Sequence, residues 1–278
     1  MIFYFSGTGN SLYVARHLAD LLGEKLCPMT LSLPLRGDLE GSVGLVFPVY
    51  GWGIPNVVES FVRSLRHSPK GGAGRGPVFI YAVMTCGDDM GYTDKVLEKA
   101  LGRKLDAAFS VLMPDVYVCL PGFDVDSKEE CKEKFQKEEV FVKEIANCIK
   151  ERKQVRQLKR GPFPWIKTYV LRPLFNRYLL TDKYFKVDAS KCISCGRCQK
   201  NCPVGNILMA SPRPSPKGKG LKSPSRGDLE GALPQWQSHC AGCLACYHAC
   251  PYHAINFGNQ TQKKGQYNLL KMKNEIMK

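Results

Sequence analysis

No stretch of about 18 apolar residues occurs in the 278-residue chain, so a membrane-spanning helix is not expected. The opening residues Met1 to Phe5 are apolar but few. No basic stretch precedes them and no small-residue cleavage site follows, so no signal peptide is expected either. Acidic residues are scarce in the second half. Residues 1–149 hold 16 basic and 19 acidic side chains, residues 150–186 hold 11 and 2, and residues 187–278 hold 13 and 4. A net charge of +15 suggests nucleic acid as a generic partner, but no interleaving of aromatic and basic residues supports that reading. Part of the excess would offset any anionic group the chain binds, and the rest would attract an acidic partner or an anionic membrane surface. What the chain has in quantity is cysteine, at 13 residues.

Eight of these cysteines fall into one pattern used twice. Cys192, Cys195, Cys198 and Cys202 precede Pro203; Cys240, Cys243, Cys246 and Cys250 precede Pro251. Both copies read C-x2-C-x2-C-x3-C-P, the run found in bacterial ferredoxins, which calls for two [4Fe–4S] clusters. Three thiolates two residues apart share one tight loop and grip three irons of a cubane. The fourth opens a helical turn leading away, so it reaches the other cluster. One cluster should take Cys192, Cys195, Cys198 and Cys250, the other Cys240, Cys243, Cys246 and Cys202. Structural zinc sites are the alternative, but they pair C-x2-C with a distant second half and often use histidine. His239, His248 and His253 lie nearby and are read as packing or surface residues. Cys27, Cys86, Cys119, Cys131 and Cys148 stand outside the runs. With the cluster thiols they indicate a reducing compartment, the cytoplasm.

At the other end of the chain, an apolar run is followed by Ser6-Gly7-Thr8-Gly9-Asn10-Ser11, and then by apolar residues at helical spacing from Leu12 to Leu22. A helix N-terminus behind such a loop presents free N–H groups to an anion, and the hydroxyls add donors. The lysine of a P-loop and the G-x-G-x-x-G pattern are both missing. The loop resembles the flavodoxin phosphate loop, (S/T)-x-T-G-N-(S/T), in full. The resemblance implies an α/β flavodoxin-like doubly wound parallel sheet of order 2-1-3-4-5 that binds FMN, in residues 1–153.

The following segments alternate as such a sheet requires. Strands are expected over Val43–Phe47, Val78–Met84 and Phe109–Met113. Helices are expected over Val57–Leu65, Thr93–Leu101 and about Lys128–Lys153, the last burying Cys131, Phe135, Val142, Ile145 and Ile149 on one face. Ligands of this fold lie at the carboxyl ends of strands 1, 3 and 4. That nominates Pro48, Val49, Tyr50 and Trp52 for the flat ring, and Thr85, Cys86 and Gly87 for backbone bonds to its edge. Cys86 reads more readily as a small buried residue than as a reactive thiol. Residues 154–186 form a basic connector, helical although Pro173 interrupts one long helix, and a membrane-surface helix is one reading of it.

Residues 187–262 make a small α+β ferredoxin-like domain, followed by a basic tail over 263–278. Arg-Gly-Asp-Leu-Glu-Gly occurs at 36–41 and 226–231, and Ser-Pro-Lys-Gly at 68–71 and 215–218. These look like related insertions, and 211–230 is expected to be an exposed, mobile loop. As a whole the chain resembles the fused flavodoxin–ferredoxin proteins of anaerobes. That implies electron transfer between the clusters and FMN, with a redox protein or small molecule as donor or acceptor. Two alternatives stand beside it. One is a flavin-dependent oxidoreductase with a substrate pocket shaped by residues 114–127, though no acid/base set is legible there. The other is a flavin-free ferredoxin with a docking domain.

Overall fold

The computed structural model describes residues 1–30, 41–66, 78–210 and 231–276. The expected insert at 211–230 and nearly all of the repeated stretches fall outside them. The chain divides into two compact units. The first comprises Met1–Asp115, Asp126–Leu179 and Leu269–Lys278; the second comprises Val116–Val125 and Leu180–Asn268.

The first unit is a six-stranded sheet, all parallel, in the order β2-β1-β3-β4-β5-β6. Its strands are β1 (Ile2–Tyr4), β2 (Leu26–Pro28), β3 (Ser42–Pro48), β4 (Phe79–Cys86), β5 (Ala107–Leu112) and β6 (Arg156–Gln157). This is the flavodoxin-like order with one extra edge strand, which the start of the connector supplies. All eight residues of β4 are buried, so both faces of the sheet are covered, as parallel sheets require. The covering helices are α1 (Asn10–Leu22), α2 (Asn56–Arg66), α3 (Thr93–Leu101) and α4 (Lys128–Lys150), with α1 packed on α4 and α2 on α3. α1 buries Val14, Ala15, Leu18 and Ala19 and stops at Gly23, whose φ of 66° only glycine adopts without strain. α4 opens on a capping box: Ser127 accepts from the Glu130 N–H while Glu130 accepts from the Ser127 N–H, worth about 1 kcal/mol. Its inner face carries the five residues expected, and Glu138 and Ala146 as well.

Beyond β6 the chain is helical from 164 to 178: α5 (Pro164–Ile166), a π-helical turn (Lys167–Leu171) and α6 (Arg172–Tyr178). Pro173 has no N–H and would crowd the carbonyl one turn back in a regular α-helix. The wider π turn sits at that place and lets the helix continue.

The second unit is a doubled β–loop–β element. β7 (Phe185–Val187), a short α7 (Arg197–Lys200) and β8 (Ile207–Ala210) form one copy. β9 (Leu233–Trp236), α8 (Ala245–Ala249) and β10 (Ile255–Phe257) form the other. The outer strands β7 and β10 pair antiparallel, as do the inner strands β8 and β9. Phe185 stacks on Trp236 at 5.2 Å and meets Phe257 edge-on at 5.2 Å, tying the two small sheets together. α9 (Leu269–Ile276) belongs to the first unit and packs on α4. Among the described residues no helix is long and apolar enough to cross a membrane.

Candidate functional sites

Each cysteine run needs a backbone that coils back on itself. Both runs achieve it at equivalent positions. Ser194 and Gly196 in the first copy have φ of 55° and 68°; Gly242 and Leu244 in the second have 68° and 57°. Such left-handed residues turn successive N–H groups inward, which favours an anionic guest. The fourth cysteines are also treated alike. The Asn206 N–H donates to the Cys202 sulfur and the Ala254 N–H to the Cys250 sulfur, each at 3.2 Å. In the second run the Gly242 N–H donates to the Cys240 sulfur at 3.3 Å.

The grouping of the thiols follows the crossed pattern. Cys192, Cys195 and Cys198 line one cavity together with Cys250, and Met209 and Ile255 form part of its apolar wall. The other fourth cysteine, Cys202, lies within electrostatic reach of Cys240, Cys243 and Cys246. Cys198 in turn reaches Cys246, so the two sets are neighbours. Among the described residues no three His, Cys, Asp or Glu side chains converge as a lone metal ion needs. Thiols that ring a cavity match a four-iron cubane better than zinc. Burial pushes the Cys198 and Cys240 thiols up to about 11 and Cys243 to about 12, so iron must displace their protons on binding.

One part of this site could not be read from spacing. Segment 116–125, part of the 114–127 stretch that the oxidoreductase alternative would use for a pocket, belongs to the second unit. The buried His248 donates from Nε2 to the Val116 carbonyl at 2.9 Å and accepts at Nδ1 from the Tyr267 N–H at 3.0 Å. Lys264 donates to the carbonyls of Val118 and Leu120, and the Gly265 N–H donates to Asp124 at 2.9 Å. Cys119, a buried thiol of the same segment, lies within electrostatic reach of Cys240. Tyr247, fully buried, points its hydroxyl at the carbonyls of Thr261, Lys264 and Gly265, and His253 Nε2 lies 2.9 Å from it. His239 bonds through its ring to the carbonyls of Gln237 and Val204. His248 and His253 therefore pack within the unit, and His239 is exposed at its surface.

In the first unit the loop Ser6–Ser11 divides into two parts. Asn10 and Ser11 are buried and clamp the loop: Asn10 donates to the Pro114 carbonyl at 2.9 Å, and the Ser11 hydroxyl meets that of Thr85 at 2.8 Å. Ser6, Gly7, Thr8 and Gly9 are half-buried and form the open part, closed on itself by the Gly9 N–H donating to the Ser6 hydroxyl. Gly9 has φ of 103° just before α1, so the first-turn N–H groups of that helix open onto the loop. The loop is not bare, since a Cβ on Gly9 would stand 3.0 Å from Leu269 of α9.

Pro48, Val49, Tyr50 and Trp52 lie half-buried at the end of β3. Tyr50 and Gly53 exchange backbone bonds in a tight turn. The connector packs on this turn. Phe175 fills the space beside Gly51 and Arg172 that beside Gly53, so neither glycine leaves room for a Cβ. The Trp52 carbonyl accepts from the Thr168 hydroxyl, and its ring lies 5.7 Å from the Lys167 ammonium. Thr85 and Cys86 are buried; Gly87 is half-buried, and its carbonyl accepts from Lys134 at 2.8 Å. Burial, with Asp89 nearby, raises the Cys86 thiol to about 12, so it stays protonated.

Comparison with known proteins bears on the second unit first. Residues 191–255 match the family model described as a 4Fe-4S dicluster domain. That stretch contains both runs, so this part of the chain is an iron–sulfur domain and the chain's function lies in redox chemistry. No curated protein matches the chain. Among solved structures it is similar to rubredoxin oxygen:oxidoreductase (ROO) from the anaerobe Desulfovibrio gigas, with 18% identity and a TM-score of 0.33. The match covers 54% of this chain and 36% of that one, so it spans about a third of that protein's length. The flavodoxin-like assignment rests on the strand order instead.

Proposed function

We propose that the chain is an electron carrier of the fused flavodoxin–ferredoxin kind, with two [4Fe–4S] clusters in the second unit and FMN in the first. The observation that carries it is the cavity shared by Cys192, Cys195, Cys198 and Cys250, three thiols of one run with the fourth of the other. The second ligand set is then Cys240, Cys243, Cys246 and Cys202. When bound, the clusters carry single electrons, and FMN joins one-electron carriers to two-electron chemistry. The residues supply the rest. Inward N–H groups offset cluster charge, and the 3.2 Å bonds to Cys202 and Cys250 favour their thiolates. For FMN, Ser6, Thr8 and the α1 N-terminus are suited to a phosphate, while Asn10 and Ser11 hold the loop in place. Tyr50 and Trp52 are the ring candidates, Pro48 and Val49 lie beside them, and Thr85, Cys86 and Gly87 lie at the edge. Free thiols fit a reducing compartment, and the positive second half fits an acidic redox partner.

A second reading, a cluster protein whose first unit docks without flavin, is favoured by the cover that Leu269 and Phe175 place over the two loops. Anaerobic purification separates the readings through iron, sulfide and FMN per chain. Two cubanes' worth of iron and sulfide with one FMN supports the carrier. Replacing Gly9 by Val should then remove the flavin and leave the iron unchanged. Full iron with no flavin would sustain the docking reading, and absent iron would sink both. Steady turnover of a defined small substrate would move the assignment to an oxidoreductase.

A further inference from the structure

The helix over 164–178 is inside out. Most of its polar side chains face the protein. Lys167 pairs with Asp89 at 2.5 Å, Thr168 bonds to the Trp52 carbonyl and accepts from the Tyr92 N–H, and Arg172 donates to the Ile54 carbonyl. Its outward side is apolar: Phe163 is 73% exposed, Trp165 59% and Leu174 52%, with Tyr169, Val170 and Tyr178 also exposed. Half of the large exposed apolar side chains among the described residues fall between positions 163 and 178. Scattered exposed apolar residues are ordinary, but a contiguous set marks a surface that something covers.

The charge around this face says what. Segment 150–186 has 11 basic and 2 acidic residues. Arg177 lies exposed on the helix itself, over the Tyr178 ring at 5.6 Å, and among the described residues it forms no ion pair. Between Glu151 and Asp182 the sequence has no carboxylate at all. A protein-docking face would carry a rim of hydrogen-bonding groups. This one offers Trp and Tyr, which favour the headgroup level of a bilayer, beside the unpaired Arg177 and no carboxylate, which favours anionic lipid. At 1.5 Å per residue the helix is about 22 Å long, suited to lying along a surface rather than crossing it.

We propose that the helix over 164–178 is a membrane-surface anchor that seats its outward apolar face in the headgroup region of an anionic bilayer. The proposal stands whether or not flavin binds. The test is sedimentation of the full, cluster-loaded chain with vesicles. One set is neutral phosphatidylcholine alone; the other also contains anionic phosphatidylglycerol. The chain should pellet with the anionic set, less so at high salt, and Trp165 emission should shift to the blue. Trp165→Glu with Leu174→Glu should weaken binding about tenfold or more, because two bulky side chains lose their burial. Val140→Glu, at an exposed apolar site on α4, should change nothing. Both variants must keep the wild-type visible absorbance. Equal pelleting with neutral and anionic vesicles would overturn the role of charge. No pelleting would overturn the anchor. So would a soluble dimer, or a complex with a soluble acidic protein, that the double variant abolishes while vesicles stay unbound.

Discussion

The two cysteine runs share spacing, left-handed positions and sulfur hydrogen bonds, yet they live in different solvents. In the first, Cys195 is exposed and Cys192 partly so, and Arg197 and Lys200 face water. In the second, every residue from Ala241 to His248 is buried except the half-buried Gly242. The cause is in the residues between the cysteines. Gly196, Arg197, Gln199 and Lys200 stand where the second run has Leu244, Ala245, Tyr247 and His248. The tuning of an iron–sulfur site by burial and hydrogen bonding therefore acts unequally on two otherwise matched loops. On the proposed assignment, the group held by the first run exchanges electrons with partners and the one held by the second passes them inward.

Removing one thiol from each run gives the largest contrast. Cys243→Ser should cost the unit its fold along with its iron, because a hydroxyl would replace a fully buried ligand. Cys195→Ser should remove about half the iron and leave a soluble protein. Cys250→Ser should resemble Cys195→Ser in the spectrum that survives, and Cys202→Ser should resemble Cys243→Ser. Electron paramagnetic resonance of the reduced variants checks this, and the opposite pairing would break the crossed assignment.

Next comes the segment that covers the second run. Residues 180–268 expressed without 116–125 leave the buried His248 without its carbonyl acceptor, at about 1–3 kcal/mol, and the half-buried Lys264 without two more. Denaturant midpoints of that fragment, with and without 116–125 joined by a linker, measure the loss. Equal midpoints would mean the second run is buried without outside help.

A pH series sharpens the same point. Burial, with His253 adding to it, pushes His248 down to about 4 from 6.5. The folded state then binds fewer protons than the unfolded one across that window. Stability is fully present above pH 6.5 and is lost as pH falls toward 4, by up to about 3 kcal/mol. His248→Asn should flatten this dependence in urea titrations against the wild type.

Smallest is the effect of charge at the open run. Arg197→Glu and Lys200→Glu should slow reduction by an acidic carrier a few-fold at low salt, and by less at high salt, in stopped-flow measurements. Iron content should not change.

Sequence carried much of this. Strands β1, β3, β4 and β5, the four main helices and the iron–sulfur character of the doubled cysteine run were legible because period and spacing are local. β2 and β6 were not, since three and two residues show no period and only pairing defines them. Pro173 read as an interruption, and the π turn that absorbs it has no sequence signature. The loop Ser6–Ser11 was legible as a motif, but not the division of labour within it, because the partners of Asn10 and Ser11 lie at Pro114 and Thr85. The bonds that tie Val116 and Val118 to His248 and Lys264 were hidden for the same reason: those partners are far along the chain.

Because Val116–Val125 belongs to the second unit and α9 to the first, neither unit is a continuous piece of chain. That fixes the order of events on the ribosome. Residues 116–125 emerge well before the cysteines they help to bury, and they must wait for them. The first unit in turn waits for Leu269 and α9, which follow the whole cysteine-bearing stretch. Neither unit can therefore be completed before the cysteine-bearing stretch has been made.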